Sequence, residues 1–484
     1  MHQASQSGTV ACVTQPTERL ARRWKVLLVT AVAVFMTFLD VTIVNIAFPD
    51  IRASFPDASL AHLSWILNAY SIVFAAALVP AGRLADRFGR RRFFFLGTLV
   101  FLAASVTCGA AQSVDMLIAA RALQAVGGAM LVPASLGLLL PEFPLEQRAT
   151  ATALWGANGA VAAAAGPSLG GVLVDWQGWR AVFFVNLLIG LPALIPARRL
   201  LRESREPQTQ FPDALGAAML AVGVGALALG IVQGPDWGWS SPWIVGSFAA
   251  AAVLLAAFVW RCARHPAPVV DLSLFRVRSF TVANIGGFIF SMGFFALLLC
   301  NVLFLTGVWH YSVLEAGVAL TPGPLMAAIG APLGGQLSDR FGQRVVAIPG
   351  SLLFASGALL FALDTGVRPN YVADFLPANL LGGFGVGLTF AAFGSAAVAE
   401  LPRARYATGG AINNCIRQIG AVLGISSLIV IVGTPSPADA LHVFHEAWSL
   451  IALTGGLAAV AGIALGRVRA RHPEEAAEAV AAAG

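Results

Sequence analysis

Asp40 is the residue in this 484-residue chain whose type and setting most directly suggest chemistry. It lies in FLDVTIVNIAFPD, residues 38–50, within an apolar run from Lys25 to Phe48 that is long enough at about 1.5 Å per residue to cross a bilayer. A carboxylate ionised at the centre of a membrane helix costs about 2.5–3.5 kcal/mol on insertion scales, so it must face protein or water rather than lipid. Arg121, in another apolar run, falls within a few ångströms of the same depth by helical rise. A guanidinium keeps its proton, but its field can move the pKa of a carboxylate by units. A motion that changed their separation would therefore switch Asp40 between binding and releasing a proton. A static salt bridge is the other reading, and the sequence leaves open whether the two side chains meet.

Three further groups of residues carry patterns. Residues 82–91 read GRLADRFGRR and residues 335–344 read GQLSDRFGQR, an internal repeat whose glycines permit a tight turn and whose acids can accept from nearby arginines. Gly82, Asp86, Arg87, Gly89 and Arg90, with Asp339 and Arg340, are thus candidates for a conformational latch, against the simpler reading of helix-connecting turns. Gly166, Pro167, Gly170 and Gly171 predict a kinked, closely packed helix that could seal against leak. Asn413, Arg417, Gly420 and Gly424 recur at helical spacing with Gln418 beside them, a polar face for an interface or a cavity. Asn45, Trp65, Asn68, Tyr70 and Asn158 are weaker candidates for substrate contact. Trp237, Trp239, Trp243 and Trp309 read as interfacial anchors, and His310, His442 and His445 as solvated side chains with no metal-ligand geometry.

The elements that must position these groups are membrane helices. Hydrophobic residues make up 58% of the chain and charged ones 11%, against about a quarter charged in soluble domains. Fourteen apolar spans are expected, near 25–48, 62–81, 93–111, 115–140, 149–174, 180–200, 213–233, 243–263, 279–306, 315–337, 345–363, 371–398, 405–432 and 446–466. Basic residues cluster in every second loop, as at Arg83–Arg92, Arg198–Arg205 and Arg261–Arg278, whereas the alternate loops hold Arg52, Arg180 and Arg368. Both termini are therefore expected on the cytoplasmic side, with the first span a signal anchor that is not removed. The net charge of +6 is spread along one membrane face, so it is no nucleic-acid footprint. Five scattered cysteines suggest neither a disulfide framework nor a metal site. Because each repeated loop follows the second span of its half, the chain divides into a tail (1–24), a six-helix bundle (25–200), a linker with two inserted helices (201–278), a second six-helix bundle (279–466) and a tail (467–484).

GRLADRFGRR resembles the loop signature of the major facilitator superfamily. LDVTIVNIAFP, ARALQAVGGAM with Arg121, Gln124, Gly127 and Gly128, GPSLGG at residues 166–171, WRAVFFVNLLIG, YSVLEAGVALTPGPL and NNCIRQIG resemble motifs of its fourteen-helix drug:proton antiporters. Leu188 stands where a proline is expected, and Ala162 replaces the first glycine of the helix 5 motif. The resemblance implies an all-α major facilitator fold, two six-helix bundles plus two central helices, and proton-driven efflux of lipophilic drugs or antibiotics. Asp40 and Arg121 would couple the proton. Proton-linked uptake of a nutrient is the alternative, and a non-transporting sensor a more distant one.

No P-loop, GxSxG elbow or HExxH pair suggests an enzyme. Neither cofactor nor metal is expected, only a proton gradient. The expected partners are a lipophilic small molecule, protons and the bilayer of a bacterial cytoplasmic membrane, for a monomer. Counting acids places only Asp40 deep, with Glu315, Asp364, Glu400, Asp213, Asp115 and Asp175 near span ends. Such an interior disfavours dicationic substrates.

Overall fold

A computed structural model of the chain describes residues 16–144, 147–402, 405–433, 436, 438–466 and 468. Its helices are α1 (Pro16–Ser54), α2 (Leu60–Phe88), α3 (Arg90–Gly109), α4 (Val114–Leu139), α5 (Arg148–Gln177), α6 (Ala181–Leu200), α7 (Ala214–Trp237) and α8 (Pro242–Cys262). They continue as α9 (Arg278–Gly307), α10 (Val313–Leu320), α11 (Pro322–Phe341), α12 (Gln343–Asp364), α13 (Leu376–Ala399), α14 (Tyr406–Val432) and α15 (Ala440–Leu465). Because α10 and α11 together form one span, Val313–Phe341, the described residues contain 14 helices or helix pairs long and apolar enough to cross a membrane. No strand interrupts them among the described residues.

Helix ends follow local chemistry more than hydropathy. The first span, expected at 25–48, runs on as helix through Pro49 to Ser54, because apolar length marks the membrane crossing and not the end of backbone hydrogen bonding. Ser59 and Ser113 accept the His62 and Met116 amides at 3.1 and 3.2 Å and so start α2 and α4. Ser312 and Glu315 form a reciprocal capping box at the start of α10, which occupies the Glu315 carboxylate at a helix end. The repeated loops turn on equivalent glycines, Gly89 (φ 123°) and Gly342 (φ 92°), a backbone region that side chains resist.

The two halves pack by the same device. A Cβ on Gly127 of α4 would lie 2.6 Å from the backbone of Phe101 in α3, and one on Gly385 of α13 would lie 2.5 Å from that of Phe354 in α12. Between the halves sit α7 and α8, packed on each other, with α7 also against α2 and α14. Asp213 fastens this pair by capping α7 through the Gly216 amide (2.8 Å) and accepting Arg261 Nε of α8 at 2.7 Å. Burial pushes the Asp213 carboxyl up, but these hydrogen bonds outweigh it and hold the group below the usual carboxylate range.

Two sequence expectations need correction. Trp309 is buried, with Nε1 donating to the Gly366 carbonyl at 2.8 Å, because the chain turns inward after α9; it is core rather than an interfacial anchor. His445 is half-buried and bonds the Thr365 carbonyl at 2.9 Å, so it is not simply solvated. Trp237, Trp239 and Trp243 are exposed as expected. Four cysteines are free and buried, and Cys12 lies outside the described residues.

The halves meet at the end that carries Ser54 and Ser312, termed the outer end. There a Cβ on Gly317 of α10 would collide with the Pro167 carbonyl of α5, and one on Gly171 would stand 3.0 Å from Leu314 Cα. Ser168 and Thr321 share a hydrogen bond across the seam, and Asn68 of α2 donates to Ser426 of α14 at 3.2 Å. On the inner halves of α5 and α14, Gly156 and Gly410 face open space. Gly317→Ala should force α5 and α10 apart, because the obstructing atom is backbone. A cysteine placed at Thr321 should then react with a thiol reagent several-fold faster than in the Gly317 parent; an unchanged rate would show that the seam absorbs the methyl group.

Candidate functional site

Asp40 and Arg121 meet. Both are fully buried, at 0% and 1% exposure, and Arg121 Nη1 donates a hydrogen bond to Asp40 Oδ2. The other carboxylate oxygen accepts from Gln124 Nε2 at 2.8 Å and Asn186 Nδ2 at 3.1 Å. Ser105 Oγ accepts from the same two amides, at 2.8 and 3.2 Å. Arg121 also donates to Gln124 Oε1 (2.6 Å) and the Ile66 carbonyl (3.2 Å), and its guanidinium stacks 4.3 Å from the Tyr70 ring. Five helices thus converge on one carboxylate: α1 supplies the acid, α4 the cation and an amide, α6 an amide, α3 a hydroxyl and α2 the aromatic floor. Arg121 and Gln124 are three residues apart, which puts them on one helix face. Neutral donors surround an ion pair in an apolar setting, the arrangement that lets a buried charge persist.

Sequence reasoning named Asp40, Arg121 and Tyr70 but missed the roles of Ser105 and Asn186, and met Gln124 only within a motif. The signal was there: Asn186 is the sole amide in its span and is fully buried.

Among the described residues, the first copy of the repeated loop is engaged by ion pairs and the second is not. Arg90 Nε donates to Asp86 Oδ1 at 2.7 Å, and its Nη2 donates to Glu206 Oε1 at 2.7 Å. Arg87 donates to the Pro207 and Thr209 carbonyls at 3.2 and 2.7 Å and lies 4.1 Å from the Phe211 ring centre. Glu203 accepts the Arg91 and Arg92 amides at 3.0 and 3.2 Å at the N-terminus of α3, and its carboxylate fills the space where a side chain on Gly89 would begin. Gly82 packs against Pro133 of α4. The linker after α6 is therefore wrapped onto the loop, a partner not foreseen from sequence. Asp339 and Arg340 are exposed, and Asp339 joins no ion pair among the described residues.

Of the helix 5 residues, Gly166 lies against Thr42 and Gly170 against Ile43 and Ile46 of α1, while Pro167 and Gly171 face α10. One helix thus presses on both halves. In α14, Asn413 donates to Asn284 of α9 at 3.1 Å, and Gly420 and Gly424 lie against the backbone of α9. Arg417 lies 3.9 Å from the ring centre of Phe390 on α13, and the buried Gln418 Oε1 has no hydrogen-bond partner. Trp65 packs among apolar side chains. Asn45 and Asn158 donate to the Val41 and Leu154 carbonyls of their own helices, and neither joins the Asp40 cluster.

Among the described residues, no group of His, Cys, Asp and Glu could hold a metal ion.

A family profile described as Major Facilitator Superfamily matches residues 30–281 and 283–483. The methylenomycin A resistance protein of Bacillus subtilis is 35% identical over 84% of this chain and 87% of its own length. The multidrug resistance protein Stp of Mycobacterium tuberculosis is 34% identical over 83% and 74%. The tetracenomycin C resistance and export protein of Streptomyces glaucescens is 33% identical over 85% and 76%. Two solved structures share the fold. A bacterial homologue of the human drug peptide transporters PepT1 and PepT2 has a TM-score of 0.64 at 12% identity, covering 92% of this chain and 98% of that one. A bacterial homologue of the human lysosomal transporter Spinster, in an inward-facing and unoccupied conformation, has a TM-score of 0.59 at 19% identity, covering 92% and 96%. Sequence match, helix count and duplicated architecture agree: the chain belongs to the Major Facilitator Superfamily, and the protein is a membrane transporter, not an enzyme.

Proposed function

We propose that the protein expels lipophilic small molecules, antibiotics among them, across a bacterial cytoplasmic membrane in exchange for protons. Relatives named for resistance to and export of antibiotics support the substrate class and the direction. The observation that carries the coupling is the buried Asp40–Arg121 pair, the acid and base that the membrane interior makes most expensive to separate. While Arg121 is beside it, Asp40 is balanced as a carboxylate. A rearrangement that draws α1 and α4 apart leaves the carboxylate in an apolar interior, where it takes a proton. Re-pairing on the other side of the cycle releases it. One proton entering down about 100 mV supplies about 2.3 kcal/mol, roughly a fifty-fold concentration ratio for the substrate before any pH gradient is added.

In this reading the termini are cytoplasmic, the protein acts as a monomer, and the described conformation is closed at the outer seam and accepts substrate from the inside. The loop carrying Asp86 and Arg90 acts as the latch, with Glu203 and Glu206 as its partners in this conformation. Helix 5 seals the outer side by its close fit to both halves.

Asp40→Asn removes the titratable group at almost constant shape, so it should abolish uncoupler-sensitive drug efflux from energised vesicles while leaving the protein inserted. A variant that still concentrated drug against a gradient would exclude Asp40 as the coupling group, and proton-dependent accumulation by the wild type would favour uptake. Asp86→Ala and Glu206→Ala should each lower turnover several-fold at unchanged equilibrium affinity, and the double variant should be little worse than either, because both acids act on Arg90. Weakened affinity at normal turnover would contradict the latch.

A further inference from the structure

Asp40, Arg121 and Arg417 are the charged residues that lie more than about six residues from either end of a described span. The first two neutralise each other. Arg417 does not share in that balance: among the described residues it joins no ion pair, its buried Nε has no hydrogen-bond partner, and its guanidinium is held only over the Phe390 ring. It remains partly accessible. It sits on α14, which packs against α9 of its own half and α2 of the other, and next to Gln418, whose buried carbonyl oxygen is also unpartnered. By helical rise Arg417 lies about 22 Å from the outer end of α14 and about 17 Å from its inner end. Among the described residues, Arg417 is therefore an uncompensated positive charge near the middle of its span. A membrane-buried arginine is normally paired or faces a polar path, and a planar guanidinium with free N–H groups matches two oxygens of one acid.

We infer that Arg417 is the anion-recognition residue of the transport path, and that preferred substrates are lipophilic acids whose carboxylate, or equally acidic phenol or enol, supplies the missing counter-charge. The acid group docks on the exposed edge of the guanidinium while the apolar body lies between the halves. Phe390 holds the guanidinium plane and so fixes the direction of its donors. Gln418 presents its amide N–H groups to an acid oxygen. This narrows the substrate class of the export reading and rests on that reading for its transport meaning, although the binding itself requires neither direction nor protons.

The test is equilibrium binding of pyrenebutyrate and its primary amide to the full chain in nanodiscs, with no gradient present. The wild type should bind the acid at least about tenfold more tightly than the amide. Arg417→Gln should weaken acid binding by at least about tenfold and shift amide binding by no more than about twofold, whereas Arg417→Lys should retain part of the preference. Equal loss of both ligands in Arg417→Gln, an acid preference that survives it, or a wild type with no preference for the acid would overturn the assignment. So would displacement of the probe by inorganic phosphate as readily as by unlabelled acid, which would make the site one for small anions. Normal acid binding by a protein that exports nothing would defeat the export reading and leave this one standing.

Discussion

The cost of keeping charge in an apolar interior governs this structure. Asp40 and Arg121 are acceptable there only as a pair: Gln124 and Asn186 donate to the carboxylate, Gln124 Oε1 and the Ile66 carbonyl accept from Arg121, and Ser105 accepts from the two amides. Removing one partner from such a buried pair typically costs about 3–5 kcal/mol, far more than an exposed pair would. In the proposed cycle, that asymmetry ties protonation of Asp40 to its separation from Arg121.

The helices around the cluster connect it to the seam between the halves. α1 carries the acid and lies against α5, which in turn presses through Pro167 and Gly171 on α10 of the other half. Movement at the outer seam is thus one helix away from Asp40. At the opposite end, the linker after α6 ties the α2–α3 loop through Arg87 and Arg90. Of the inserted helices, α7 lies along the α2–α14 contact and is fastened to α8 by Asp213 and Arg261.

Much of this was legible in the sequence, because the bilayer leaves few solutions. Fourteen apolar runs of sufficient length became fourteen spans, and a duplicated Gly-Asp-Arg loop became two glycine turns with positive φ. A lone deep aspartate and a deep arginine at matching depth proved to touch. The partners of Asp40 were harder to see, since Ser105 and Asn186 come from helices whose rotation no single-span pattern fixes. The strap of Glu203 and Glu206 was invisible for another reason: a polar linker reads as solvated until its partner is known. The isolation of Arg417 could be recognised only once every neighbouring helix was in place, because the lack of a counter-ion is a property of the assembled interior.

Proton counterflow driven by substrate alone tests the central claim most directly. With purified protein in vesicles, a trapped pH-sensitive dye and no imposed pH or voltage gradient, an outward substrate gradient should draw protons in the opposite direction at about one per substrate, and Asp40→Asn should abolish that proton movement. Substrate flux without proton movement, or undiminished counterflow in Asp40→Asn, would contradict the account.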